Sequence, residues 1–161
     1  MKPDCPHSCP NFSMLKKDLT KEFPRSVHDQ VLGVVMLGRT IDKGAAFANG
    51  LVGEYNYDCP MDQAIFSFLG VDGNALLDAI KKANSEADVL AFLKPYVDKK
   101  SAEIATFNKE FLARRPEPGS ESEEYFLELR NAAAPGRTDV TTWADLLDLD
   151  EKRVVPQRTA A

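Results

Sequence analysis

The sequence lacks any long hydrophobic run, and this absence argues against a membrane-spanning protein. Its apolar stretches are far shorter than the roughly 20 residues that a helix needs to cross a bilayer. The first residues also lack the apolar segment of a secretory signal peptide. We therefore expect no membrane partner and a cytoplasmic location.

Cysteine and histidine are scarce, with three and two residues respectively. An odd number of cysteines without an export signal indicates reduced thiols. The spacing of Cys5, His7 and Cys9 matches no standard zinc motif, and no fourth ligand is evident. A phosphate-binding loop, a dinucleotide fingerprint and a zinc-protease helix motif are all missing. We therefore expect neither a metal nor another cofactor.

Basic residues are also outnumbered, because 20 lysines and arginines face 25 aspartates and glutamates. The formal net charge is −5, and the segment from Glu117 to Glu151 is especially acidic. A protein that binds nucleic acid presents a basic face instead. We therefore expect no nucleic-acid partner.

What the sequence does contain is helical periodicity over most of its length. Apolar residues spaced three or four apart predict a mainly α protein, a compact single-domain bundle of about seven helices. The first long helix is predicted from Val27 to Ala48, with Gly33 and Gly38 as points where it bends or splits. Residues 51–57 alone have strand character and predict a short extended segment or hairpin. The same spacing predicts a core that includes Ile65, Phe68, Phe107, Phe111, Phe126, Leu129 and Trp143.

Proline and polar residues mark the two ends of this domain. Three early prolines predict an irregular N-terminal arm over residues 1–17. A helical domain is predicted over residues 18–153, followed by a polar C-terminal tail at residues 154–161.

Cys59 is the candidate catalytic residue. Pro60 after it predicts a helix that begins there with Cys59 as N-cap, and Asp62 falls in the first turn. A helix N-terminus favours the thiolate form of a cysteine, whereas neighbouring carboxylates oppose it. The alternative is that Cys59 is a small buried residue with no chemical role.

A second group of polar residues forms a candidate ligand-binding site. Arg39 and Lys43 are four residues apart on the first predicted helix and would project from one face as a paired cationic site. Asp42 points about 100° away from Lys43. Their simplest role is to hold carboxylates of the segment that follows in an ion-pair network. The full candidate set is Arg39, Asp42, Lys43, Glu54, Tyr55, Tyr57, Asp62 and Arg137.

Several of these motifs are familiar as a set. They are Pro24-Arg25-Ser26, Arg39-Thr40-Ile41-Asp42-Lys43, Gly53-Glu54-Tyr55, the run from Tyr57 to Gln63, Phe68-Leu69-Gly70, Arg137-Thr138-Asp139, and Trp143 with Leu147 to Asp150. Together they resemble the bacterial family known as domain of unknown function 5069. The resemblance covers about residues 19–151 and implies no activity, and the arm with Cys5 and Cys9 lies outside it.

Two classes of function remain open from the sequence. The favoured one is a non-catalytic domain that binds a small molecule or a protein through a polar site around Arg39, Tyr55 and Cys59. Homo-oligomer formation is compatible with it. The alternative is a small-molecule or thiol-dependent enzyme that uses Cys59. A concave pocket lined by Cys59 with Arg39, Tyr55 and Asp62 would favour the enzyme.

Overall fold

The structure, a computed structural model, describes residues 15–159. Within this range a two-stranded antiparallel hairpin precedes seven helices, which confirms the predicted mainly α fold. The strands are β1 (Gln30–Val31) and β2 (Val34–Val35). The helices are α1 (Leu37–Ala48), α2 (Pro60–Leu69), α3 (Gly73–Lys82), α4 (Glu86–Asp98), α5 (Ile104–Leu112), α6 (Glu121–Ala133) and α7 (Trp143–Asp150).

The prediction of one helix from Val27 to Ala48 is wrong for its first ten residues, which contain the hairpin. Leu32 and Gly33 form its turn with φ of 55° and 82°, the left-handed pair that a tight hairpin requires. The side chain of Asn108 on α5 then fixes the turn. It accepts from Val35 N at 3.1 Å and donates to Gly33 O at 2.8 Å. A contact so distant in the sequence overrides the local helical spacing.

The segment 51–57 is not the extended strand or hairpin that its composition suggests. It contains two turns, and no strand is assigned between α1 and α2. Leu51 O accepts from Leu19 N at 2.9 Å, and Asn56 O accepts from Lys43 Nζ at 3.0 Å. The segment is therefore a loop whose backbone is bonded by Leu19 and by Lys43 of α1.

Local capping signals locate several helix ends. The helix predicted behind Cys59 runs from Pro60 to Leu69 and ends at Gly70, whose φ is 74°. Asp72 caps α3 and Ser120 caps α6 through their side chains. Helix α4 continues through Pro95, α5 begins at Ile104, and the side chain of Thr142 caps α7.

The main hydrophobic core is built by the hairpin and helices α1 to α5, with a contribution from α7. Helix α1 packs closely on α3 at Gly44, where a Cβ atom would lie 2.6 Å from Ile80 Cδ1. Of the predicted core residues, Ile65, Phe111 and Phe126 are buried. The others are partly buried and pack against the core: Phe68, Phe107, Leu129 and Trp143. None of the described helices is both long and apolar enough to cross a bilayer.

A smaller hydrophobic cluster lies between α6, α7 and the C-terminal segment. It consists of Phe126, Val140, Leu146 and Val155. Val155 is 7% exposed although it belongs to the stretch predicted as a polar tail. The C-terminal segment thus packs on the domain through Val155, while residues 1–14 of the predicted arm, with Cys5, His7 and Cys9, lie outside the described residues.

Gly53 and Gly50 provide a matched test of the loop after α1. Both have positive φ, of 60° and 72°, so an alanine at either site carries a backbone cost of about 1–2 kcal/mol. Only at Gly53 would the added Cβ also lie 2.9 Å from a backbone atom, Leu19 O. We expect Gly53→Ala to lower the free energy of unfolding in urea more than Gly50→Ala does. Equal losses would contradict the contact between this loop and Leu19.

Candidate functional site

The Asp62 cluster consists of Thr40, Lys43, Cys59 and Asp62, at the point where α1 meets the start of α2. Asp62 is 0% exposed, and its Oδ2 lies 2.8 Å from Lys43 Nζ. Oδ2 also accepts from Asp58 N at 3.0 Å and from Cys59 N at 3.3 Å, while Oδ1 accepts from Thr40 Oγ1 at 2.7 Å. The buried carboxylate is therefore neutralised by one lysine and bonded by three further donors, as a buried charge requires.

Cys59 lies at the partly exposed edge of this cluster. It is the N-cap residue of α2, and its Sγ accepts from Lys43 Nζ at 3.2 Å. The lysine side chain is only 5% exposed and is also held by Asn56 O. The thiol thus has a cationic neighbour, but that cation is shared with the carboxylate of Asp62.

The Glu151 cluster consists of Arg39, Tyr55, Glu151 and Arg153. Arg39 and Glu151 are both almost fully buried and form a bidentate pair, with N–O distances of 3.0 and 2.7 Å. Tyr55 donates its hydroxyl to Glu151 Oε2 at 2.8 Å, and its ring lies 5.5 Å from the guanidinium of Arg39. Arg153 also contacts this carboxylate. The cluster therefore joins α1, the loop after it and the end of α7.

The environment of the Glu151 cluster shifts the pKa values of its members. Burial alone would raise the pKa of Glu151, but the hydrogen bonds and charge of Arg39, with help from Arg153 and Tyr55, hold it below its ordinary value. The same carboxylate raises the pKa of Arg39 despite its burial. Burial and Glu151 together raise the pKa of Tyr55. The pair is therefore ionised and the tyrosine protonated at neutral pH, and each shift moves the pKa further from neutrality.

Asp42 faces away from both clusters, as its position beside Lys43 on a helix predicts. It accepts from Arg25 through the backbone N at 2.8 Å and through the guanidinium at 2.9 and 3.1 Å. Arg25 also reaches Glu86 at the start of α4. Burial would lower the pKa of Arg25, but these two carboxylates outweigh it and raise the pKa. Asp42 therefore serves to bind the segment before the hairpin to α1.

The remaining candidates are dispersed. Arg137 pairs with Asp139 at 2.9 Å and donates to the carbonyls of Val155 and Pro156, so it holds the C-terminal segment instead of joining Arg39. Glu54 is exposed. The hydroxyl of Tyr57 donates to Gly73 O at 2.8 Å, and burial, with the Asp62 carboxylate, raises its pKa.

A cleft of about 370 Å³ opens where the turn at residues 26–29 meets the C-terminal segment, and we call it the C-terminal cleft. Its charged and polar lining consists of Ser26, His28, Asp29, Asp148, Arg153 and Arg158. Val154, Val155 and Pro156 complete its wall. None of the candidate site residues from the sequence lines it, and Cys59 is absent from its lining.

Several hydrogen bonds hold the walls of the C-terminal cleft. Asp148 accepts from Ser26 Oγ at 2.7 Å, and His28 Nε2 lies 3.0 Å from Asp145 Oδ1. Arg158 makes two bonds of 2.8 Å to Asp145. Burial would raise the pKa of Asp145, but the hydrogen bonds and charge of Arg158 outweigh it and lower the pKa.

Sequence reasoning missed Glu151, Arg153 and Arg158 as site residues. Glu151 follows the acidic run that ends α7, where a solvated helix face is the usual interpretation. The two arginines lie in or next to the stretch read as a polar tail. Their position directly after an acidic segment is the signal that could have identified them. Among residues 15–159 no three histidine, cysteine, aspartate or glutamate side chains are grouped as metal ligands.

Comparison with known families agrees with the motifs in the sequence. The model of the family described as Domain of unknown function (DUF5069) matches residues 21–153. Because the match covers well over half of the chain, the protein belongs to this family. A search of curated proteins found no significant match.

Proposed function

We propose that the domain is a non-catalytic binding protein that holds a small molecule of mixed charge in the C-terminal cleft. The observation that carries the proposal is the cleft itself, whose volume of about 370 Å³ falls in the range of small-molecule sites. Arg39 and Tyr55, predicted as site residues, contact the cleft indirectly. Both bond Glu151, which also bonds Arg153 in the cleft lining.

The charges of the cleft lining favour a ligand that carries both a carboxylate and an ammonium group. Arg158 is 42% exposed along its side chain, so a ligand carboxylate can reach it while it stays bonded to Asp145. Asp29 is exposed in the same lining and offers a carboxylate for an ammonium group. A simple anion or a simple cation would meet one attractive group and one repulsive group. A zwitterion such as a free amino acid satisfies both.

The walls of the cleft are held in place before any ligand arrives. Asp148 is fixed by Ser26, Arg153 by Glu151, and Arg158 by Asp145. Fixed walls lower the entropy cost of binding, because fewer side chains must be ordered when the ligand enters. These contacts support a binding role without requiring a reaction.

A panel of free amino acids, acetate and methylammonium tests the proposal by thermal shift and calorimetry. We expect an amino acid to raise the melting temperature, with about 2.7 kcal/mol of stabilisation at one hundred times its Kd, and the two single-charge probes to have little effect. Arg158→Gln and Asp29→Asn should each weaken binding at least tenfold. Arg115→Gln, an exposed arginine outside the cleft, is the matched control and should bind normally. Stabilisation by none of the amino acids would overturn the proposal.

A second candidate function, a thiol-dependent activity at Cys59, is favoured by the 3.2 Å contact between Lys43 Nζ and Cys59 Sγ. The described residues supply no histidine beside it, because His28 pairs with Asp145 in the other part of the molecule. The same ligand screen on Cys59→Ser separates the two functions. A compound that stabilises only the wild-type protein would support the thiol function, and equal stabilisation of both would support the cleft.

A further inference from the structure

We propose that Lys43 and Cys59 form an oxidative crosslink site, in which a hydroperoxide converts their 3.2 Å contact into a covalent sulfur–nitrogen bond. The Lys43 nitrogen, which becomes nucleophilic once it loses a proton, already touches the thiol sulfur in the reduced protein. Lys43 is bonded in addition to Asp62 and to Asn56 O, so its nitrogen is held beside the sulfur. Its side chain is only 5% exposed, which leaves little room to swing away.

Access to the two atoms differs in a way that suits this chemistry. Cys59 is partly exposed at the start of α2, so a small peroxide can reach its sulfur from solvent. Lys43 lies behind it in the protein interior. Cys59 is the one cysteine among residues 15–159, so within this range no second thiol competes with the amine for the oxidised sulfur.

The crosslink forms in two balanced steps. First, the sulfur of Cys59, as thiolate, attacks the O–O bond of hydrogen peroxide; a sulfur–oxygen bond forms, hydroxide leaves, and the two electrons lost by sulfur reduce the peroxide. Second, the Lys43 nitrogen, after giving a proton to Asp62, attacks the sulfenic sulfur. The sulfur–nitrogen bond forms as the sulfur–oxygen bond breaks, and the hydroxide that leaves takes a proton to become water. Overall, one thiol, one amine and one peroxide give one sulfenamide and two waters.

Asp62 is placed to accept the lysine proton in the second step. Its Oδ2 lies 2.8 Å from Lys43 Nζ, and three other donors hold the carboxylate in place. The product would tie α1 covalently to the first residue before α2. It would also remove the positive charge of Lys43 from Asp62, so the loop between the helices would lose an ion pair. A small thiol such as glutathione can reverse the bond, with two thiols reducing it to the original pair and becoming a disulfide.

Mass spectrometry of the full-length Cys5→Ser/Cys9→Ser protein tests the crosslink after treatment with hydrogen peroxide. We expect the intact mass to fall by two hydrogens and to return to its first value with dithiothreitol. A protease that cleaves after glutamate should release one peptide pair that joins Lys43 to Cys59, because Glu54 lies between them. The alkylated protein, with Cys59 blocked by iodoacetamide beforehand, is the control and should keep its mass.

Two further measurements keep the test decisive. Dimedone added with the peroxide should trap the sulfenic acid of Cys59 and suppress the crosslink. This measurement leaves Lys43 unchanged. Lys43→Arg keeps the positive charge but removes the nucleophilic amine, so it should gain oxygen instead of losing hydrogens. The proposal would be overturned if the protein that retains Lys43 gains oxygen at Cys59 and yields no joined peptide. A peptide pair that joins Cys59 to another lysine would also overturn it.

Discussion

Replacing Asp62 by alanine is expected to lower the free energy of unfolding by about 3–5 kcal/mol, the range for removing one partner of a buried ion pair. The side chain of Asp62 is 0% exposed and that of Lys43 is 5% exposed. The alanine would leave the lysine charge buried without its carboxylate. It would also leave the hydroxyl of Thr40 and the backbone N–H groups of Asp58 and Cys59 without their acceptor.

Urea denaturation followed by circular dichroism measures this loss, and an exposed pair of the same type is the control. Lys94 and Asp98 on α4 are 3.1 Å apart but more than half exposed, so Asp98→Ala should cost at most about 0.5 kcal/mol. Asp62→Asn keeps one acceptor oxygen, so its loss of unfolding free energy should lie between those of Asp62→Ala and Asp98→Ala. A loss below about 1 kcal/mol for Asp62→Ala would show that the segment before α2 is not held by this carboxylate.

The start of α2 shows what the sequence could predict. Every signal there is local: Pro60 suits the first helical turn, Asp62 reaches back to the backbone N of Cys59, and Gly70 takes the left-handed conformation at the end. Signals of this kind act within one turn of a helix. They therefore predicted the start of this helix and placed Cys59 and Asp62 together.

The hairpin shows what the sequence could not predict. Val34, Val35, Met36 and Leu37 are all buried, and four consecutive buried residues do not fit the single apolar stripe of a surface helix. Their burial depends on packing from both sides, and the turn depends on Asn108, which is 73 residues away from Val35. Neither contact can be read from spacing within the segment.

Of the two buried ion pairs made by Arg39 and Lys43, the sequence indicated the partner in only one. The ion pair of Lys43 with Asp62 was among the expected ones, because both belong to neighbouring elements. Arg39 was expected to contact the same region, but its carboxylate is Glu151, which is 112 residues away. Charge alone cannot select between carboxylates, because the fold decides which one is buried beside the arginine.

The smaller hydrophobic cluster offers the second large effect, because one aromatic side chain dominates it. Phe126 is 2% exposed and meets the ring of Trp143 edge to face, with centroids 5.1 Å apart. It packs with Val140, Leu146 and Val155, so it joins α6 to α7 and to the C-terminal segment. Removing it would leave a cavity that these neighbours, fixed on three different elements, cannot close together.

We therefore expect Phe126→Ala to lower the free energy of unfolding by about 3–5 kcal/mol, as for other buried aromatic residues. Tyr125 is its neighbour on the same helix but is 57% exposed, so Tyr125→Ala is the matched control and should change stability by less than about 0.5 kcal/mol. Trp143 is the only tryptophan and reports on this cluster through its fluorescence, whereas circular dichroism reports on all the helices. Because α7 also places Ala144 in the main core, the two signals should change together in the wild-type protein. Separate transitions, or a small loss for Phe126→Ala, would show that the smaller cluster unfolds on its own and contributes little to the domain.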